Sequence, residues 1–172
     1  MTERERRKRF DTLYASYNRR VFAYCVYVLS DRALAEDVYQ EVFVKAYQAL
    51  HTLRDSDKEA NWLFRIARNE CLNAMKARQR SDRRNVSLDN APELPGENGN
   101  PERNDTHEQL RRAIDQLPPD YREALLLAEF EGFSLKEVAE MTGASLSNVK
   151  VRIHRAKQKL HAILEPILND YE

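Results

Sequence analysis

Cysteine is scarce in this 172-residue sequence: Cys25 and Cys71 stand far apart with no paired histidine, so neither a disulfide framework nor a zinc site is suggested. Each falls on an apolar helical stripe, and both read as reduced core thiols of a cytoplasmic protein. No apolar run approaches the ~20 residues that a membrane span requires, and the charged start MTERERRKRF lacks an apolar signal core. No membrane partner is therefore expected. Net charge is missing too, since 28 Lys and Arg balance 28 Asp and Glu. Any attraction to nucleic acid must then come from segregation of charge rather than from its total. Segregation is present: acids gather at Glu36, Asp37 and Glu41, and cations over residues 65–84 and 150–159. The histidines His51, His107, His154 and His161 have no carboxylate or nucleophile at a plausible helical spacing, which argues against an enzyme. No metal or cofactor is expected.

The most organised stretch is residues 133–160, FSLKEVAEMTGASLSNVKVRIHRAKQKL. Ser134 precedes Glu137 by three residues, so hydroxyl and carboxylate can each satisfy an orphan amide while Phe133 and Val138 staple the start. A helix is predicted to begin near Leu135 and to stop at Thr142, because Gly143 can take the left-handed conformation of a helix terminus. Ser145 is the natural cap of the next helix. There Val149, Ile153, Ala156, Leu160 and Ile163 recur at helical spacing and form one buried stripe. Ser147, Val151, His154, Arg155 and Gln158 fall opposite, with Asn148 and Lys150 on the shoulders. No acid occurs between Glu140 and Glu165, which suits a helix lying in a major groove, where carboxylates would face phosphates. Short helix, tight turn and basic second helix make the helix-turn-helix pattern, with a merely solvated hairpin as the plainer alternative.

Upstream, Phe10, Leu13, Tyr14, Tyr17, Val21, Tyr24, Cys25 and Val28 predict an amphipathic helix over residues 10–29. Ser30 and Asp31 supply turn and cap, and Leu34, Val38, Val42, Ala46 and Leu50 predict a second helix over 32–50. Its other face carries Glu36, Asp37, Gln40, Glu41 and Gln48. Such a run is most simply solvated, and docking of a basic partner is the alternative. Residues 51–61 are polar and aperiodic and read as a loop. A third helix is predicted over 60–80, with Leu63, Phe64, Ala67, Cys71, Ala74 and Met75 in the core. Opposite stand Trp62, Arg65, Asn69, Asn73 and Lys76, beside Arg68. Aromatic and guanidinium planes can stack on a splayed base while amides read its edge, so this row suits unpaired nucleic acid. Spacing alone leaves that reading open against one in which Trp62 anchors the helix start in the core.

Residues 81–105 hold three of the six prolines and two of the four glycines and read as a flexible linker. Thr106 with Gln109 predicts a capped helix, which Pro118 and Pro119 end. The next helix is predicted to run from Pro119 to near Gly132, and the tail after Pro166 to be frayed. The expected fold is all-α: two small helical domains, residues 1–80 and 106–172, joined by the linker, the second a helix-turn-helix.

Three stretches together make the chain resemble the bacterial sigma-70 family of RNA polymerase sigma factors, in its extracytoplasmic-function (ECF) group. They are AEDVYQEVFVKAYQAL at 35–50, WLFRIARNECLNAMKAR at 62–78, and LPPDYREALLLAEFEGFSLKEVAEMTGASLSNVKVRIHRAKQKL at 117–160, in the family's order. The resemblance implies a non-catalytic specificity subunit that recognises and melts promoters. It implies that Asp37, Gln40 and Glu41 dock on the β′ clamp helices of the polymerase core, with the β flap as a further contact. It implies that Trp62, Arg65, Arg68, Asn69, Asn73 and Lys76 hold the opened minus-ten strand, with a flipped base at Asn69. Ser147, Asn148, Lys150, Val151, Arg152, His154 and Arg155 would read the duplex minus-thirty-five element. An anti-sigma factor is an implied partner, and the free protein is expected to be a monomer. The sequence departs from the family at Asp57, Lys58, Glu59 and Ala60, where an aromatic is common, and at Ser145, Leu146 and Ser147, where a proline and a glycine are common. A competing reading is a stand-alone helix-turn-helix regulator, which would bind duplex DNA tightly as a dimer without polymerase. A pure interaction scaffold would show no dependence on nucleic acid.

Overall fold

The computed structural model describes residues 1–84 and 101–170, with side chains of 101–104 left aside. The chain divides into two compact units, Met1–Leu94 and Pro95–Glu172. Among the described residues there are seven α-helices and no strand. None of these helices is long and apolar enough to cross a membrane.

The first unit is built from α1 (Glu3–Leu29), α2 (Arg32–Ala49) and α3 (Glu59–Arg84). Helix α1 begins well before its apolar periodicity does, because Thr2 and Glu5 close a capping box: the Glu5 amide donates to the Thr2 hydroxyl and the Thr2 amide to the Glu5 carboxylate. The extra turns are fastened to the end of α2, where the Tyr47 hydroxyl donates to Glu3 and the Arg6 guanidinium lies 4.5 Å from the Tyr47 ring centroid. Ser30, at a left-handed φ of 53°, ends α1, and the Asp31 carboxylate caps α2 by accepting from the Leu34 amide at 3.0 Å. The core joins Leu13, Val21, Tyr24 and Cys25 of α1 to Ala35, Val38, Val42 and Ala46 of α2 and Leu63, Phe64, Ala67 and Cys71 of α3. Cys25 and Cys71 are buried, in keeping with the core role expected of them, with sulfurs 3.8 Å apart. Phe64 meets Tyr24 edge-on at 5.5 Å, and truncating a buried phenylalanine of this kind costs about 3–5 kcal/mol.

Three expectations are corrected here. Tyr14, placed in the core by spacing, is 41 % exposed, because it stacks on Phe10 and meets Phe43 edge-on and Tyr39 at a tilt along the seam rather than beneath it. The stretch read as a plain loop holds two 3-10 turns, Leu50–Thr52 and Ser56–Lys58, and buries Leu53 between them. Helix α3 runs four residues past the expected boundary, to Arg84.

The second unit comprises α4 (Pro101–Asp115), α5 (Pro119–Leu125), α6 (Leu135–Thr142) and α7 (Leu146–Asn169). Helix α4 starts at Pro101, so Thr106 lies inside it rather than at its start, and Gln109 donates to Asp105 at 3.2 Å. Of the expected linker, residues 81–84 and 101–105 are thus helical, and residues 85–100 lie outside the described residues. Pro119 occupies the first turn of α5 as expected. The helix does not continue regularly towards Gly132 but widens into a π-helical turn, Leu126–Phe130, in which the Glu131 amide reaches back to the Leu126 carbonyl. Ala124, Leu125, Leu126 and Leu127 are all buried, so this segment is surrounded by apolar neighbours rather than one-faced.

The helix-turn-helix follows the sequence closely. Ser134 and Glu137 exchange both bonds of a capping box, Phe133 and Val138 are buried beside it, and Gly143 ends α6 at φ 71°. Ser145 caps α7 by accepting from the Asn148 amide, and Val149, Ile153 and Ala156 are buried while Leu160 and Ile163 are partly so. The tail after Pro166 is helical to Asn169 rather than frayed. The bond that proline cannot make falls on Ala162, which is exposed, so water can satisfy the freed carbonyl.

Candidate nucleic-acid and docking interfaces

On α2, Asp37, Gln40 and Glu41 are all exposed and share one face, as their spacing of three and four residues requires. Asp37 and Gln40 make no side-chain bond to any described residue. Glu41 lies 3.9 Å from Lys45, whose ammonium is held more closely by Glu70 of α3 at 2.7 Å. That hydrogen bond raises the Lys45 pKa above its ordinary value. Lys45 is thus bound chiefly to Glu70, and the carboxylates of the row stay exposed.

Beside the row, Phe10, Tyr14, Tyr39, Phe43, Val44 and Tyr47 line an apolar groove of about 490 Å³. Tyr39 donates to the Tyr14 hydroxyl at 2.8 Å, and burial together with that bond pushes the Tyr39 phenol above its usual range. Tyr39 therefore stays neutral beside the groove.

The α3 face comes together as its spacing predicts. Arg65, Asn69, Asn73 and Lys76 are exposed in line, with Arg68 half-buried at the edge. Trp62 is neither fully buried nor fully exposed. Its ring is partly buried and its indole N–H donates to the Thr52 hydroxyl at 3.2 Å, while Thr52 donates to the Ala49 carbonyl at 2.7 Å. Trp62 thus ties the loop after α2 to the start of α3, and part of the ring stays accessible. Arg65 donates to Asn61 at 2.8 Å, which holds it along the helix. Farther along, Arg78 lies 3.5 Å from Asp31, the cap of α2, so this cation braces helices as well as extending the positive surface.

On α7, Ser147, Asn148, Lys150, Val151, His154 and Arg155 are exposed. Val151 is 43 % exposed, an aliphatic side chain available to a thymine methyl group. Arg152 differs: its side chain is 20 % exposed and lies 3.8 Å from Asp120 of α5. Arg155 donates through Nη1 to the Tyr121 hydroxyl at 3.3 Å. Sequence reasoning missed both partners, since Asp120 and Tyr121 sit about thirty residues upstream and carry no local signal.

It also missed Arg122. From α5 this guanidinium donates to the carbonyls of Ile114 (3.2 Å), Asp115 (2.6 Å) and Leu117 (3.1 Å) where α4 ends, of which that of Ile114 also accepts from the Leu117 amide. Burial lowers its pKa, with Asp115 acting in the opposite sense, and the charge survives because an arginine starts so high. This side chain joins the end of α4 to α5.

Two family matches decide what these surfaces belong to. Residues 13–81 match sigma-70 region 2, and residues 107–160 match sigma-70 region 4. The chain belongs to the sigma-70 family, as an ECF-type sigma factor. The RNA polymerase sigma-H factor of Pseudomonas aeruginosa is 33 % identical over 98 % of this chain and 92 % of its own length. The ECF sigma factor SigM of Bacillus subtilis is 32 % identical over 93 % and 98 %. Among solved structures, the sigma factor RpoE of Bartonella quintana, in complex with the anti-sigma factor NepR, matches with a TM-score of 0.77 and 27 % identity over 92 % of this chain and 98 % of that one. Sigma factors are specificity subunits of transcription initiation and not catalysts. In this sigma factor the acidic row, the α3 face and the groove apart from Phe10 lie in the region 2 match, and α7 as far as Leu160 in the region 4 match.

Proposed function

We propose that the two units divide the promoter between them. Residues 1–80 dock on the polymerase core and capture the opened minus-ten strand, residues 81–105 tether, and residues 106–172 read the duplex minus-thirty-five element. The observation that carries this reading is the exposure, on adjacent helices of one unit, of two unlike faces: the acidic row of α2 and the amide and cation row of α3. A stand-alone regulator has no use for either. Asp37, Gln40 and Glu41 offer carboxylates and an amide to the β′ clamp helices, and α7 lies with the β flap and promoter duplex. Asn69 and Asn73 hydrogen-bond a base edge, Trp62 and Arg65 flank it with planar groups, and Arg68 and Lys76 hold backbone phosphates. Unstacking a base costs a few kcal/mol, which these contacts offset. The tether lets two weak sites act on one DNA molecule through their effective concentration. An anti-sigma factor would restrain the protein by covering the same docking face, and it would act in the cytoplasm.

The test is the double variant Asp37→Ala with Glu41→Ala, assayed by co-purification with core polymerase. Loss of the complex is expected, and full retention would refute the docking assignment.

A further inference from the structure

The two arginines of α7 that face α5 are treated in opposite ways by neighbouring residues. Asp120 approaches Arg152, which is largely covered, whereas Tyr121 accepts a single hydrogen bond from the exposed Arg155. We propose that Tyr121 is a positioning residue for Arg155, and so a determinant of promoter specificity that lies outside the recognition helix. This rests on the reading of α7 as the duplex-reading helix.

The ring of Tyr121 packs against Leu117, Leu125 and Ala156, so its hydroxyl is delivered from a fixed point in the core and makes no other bond to a described residue. A free arginine side chain samples many rotamers, and ordering it on DNA opposes binding. One N–H anchored at Tyr121 removes part of that freedom before DNA arrives. The guanidinium has five N–H donors, so spending one on the phenol leaves Nη2 and Nε for the two acceptors on a guanine edge. Arg152 makes the contrast: paired with a carboxylate and mostly covered, it has little left to offer a base. The N-terminal turn of α5 thereby separates a base-reading arginine from a withheld one.

The experiment uses the full chain with core polymerase on a promoter library randomised across the minus-thirty-five element, with transcripts sequenced. Three variants are compared with the parent: Arg155→Ala, Tyr121→Phe and the two combined. Arg155→Ala is expected to erase the base preference at one or two positions. Tyr121→Phe keeps the ring and its packing, so thermal stability should hold, while the preference at those same positions falls roughly two- to fivefold, the value of one hydrogen bond. The combined variant should look like Arg155→Ala alone. Preference fully retained in Tyr121→Phe, or lost equally at every position, would overturn the positioning role while leaving the function intact. A library with no enrichment for the parent chain would overturn the duplex-reading assignment of α7 and this inference with it.

Discussion

Arg122→Met is the substitution whose cost can be worked most directly from the structure. Methionine keeps the length of the apolar stem and removes the guanidinium, so the carbonyls of Asp115 and Leu117 lose this donor while that of Ile114 keeps the Leu117 amide. An acceptor left without a partner costs about 1–3 kcal/mol, and the lower end applies here because the site is half-buried and water can reach part of it. Two such losses give about 2 kcal/mol. Burial already disfavours the charged guanidinium, so removing it works in the opposite direction. The expected cost is at most about 2 kcal/mol, or amide exchange up to roughly thirtyfold faster across the helices this residue joins. Hydrogen exchange with peptide-level mass spectrometry reads that directly: peptides from α4 and α5 should lose protection and peptides from α1 to α3 should not. Arg122→Lys should recover less than half, since one ammonium cannot reach three acceptors in a fixed fork. Unchanged exchange in Arg122→Met would refute the view that this side chain holds the end of α4.

Two further outcomes follow from the geometry. Asp120→Asn should release Arg152 to a phosphate, so the dependence of log K on log salt for duplex binding becomes steeper by about one unit; an unchanged slope would mean that the ion pair withholds nothing. Asn69→Ala should weaken capture of an opened minus-ten strand by about 1–2 kcal/mol while leaving duplex minus-thirty-five binding alone, measured with forked and fully paired promoter fragments on the assembled enzyme; equal losses on both fragments would remove Asn69 from the base-contact face.

How far the sequence anticipated this structure depends on the range of the interaction concerned. The helix-turn-helix was legible because each of its signals closes within four residues: Ser134 with Glu137, Gly143 at the turn, Ser145 with Asn148. The Thr2 and Glu5 box is just as local, yet it lies ahead of the apolar period that was used to place α1, and the turns it starts are held by the distant Tyr47. The opposite error arose at Thr106 and Gln109, where the spacing of a cap occurs inside a helix that begins at Pro101. A single apolar residue in a polar stretch gives no period, which is why buried Leu53 was invisible. The exposed rows on α2 and α3 were visible from spacing, since periodicity decides which residues share a face. What each cation does on its face was not, because Arg78, Arg122, Arg152 and Arg155 are all set by partners more than three residues away in other elements.

The central claim is that one chain directs polymerase to promoters by gripping duplex DNA with one unit and an opened strand with the other. Transcription from a library of genomic fragments, with purified core enzyme, the chain added or withheld, 5′ ends mapped and unpaired thymines probed by permanganate, tests it most directly. The account predicts discrete start sites that appear only with the chain, each with reactive thymines near minus ten, and it predicts that Asn69→Ala lowers that reactivity. Start sites no more discrete than those of core enzyme alone, or discrete starts without opened DNA, would contradict it.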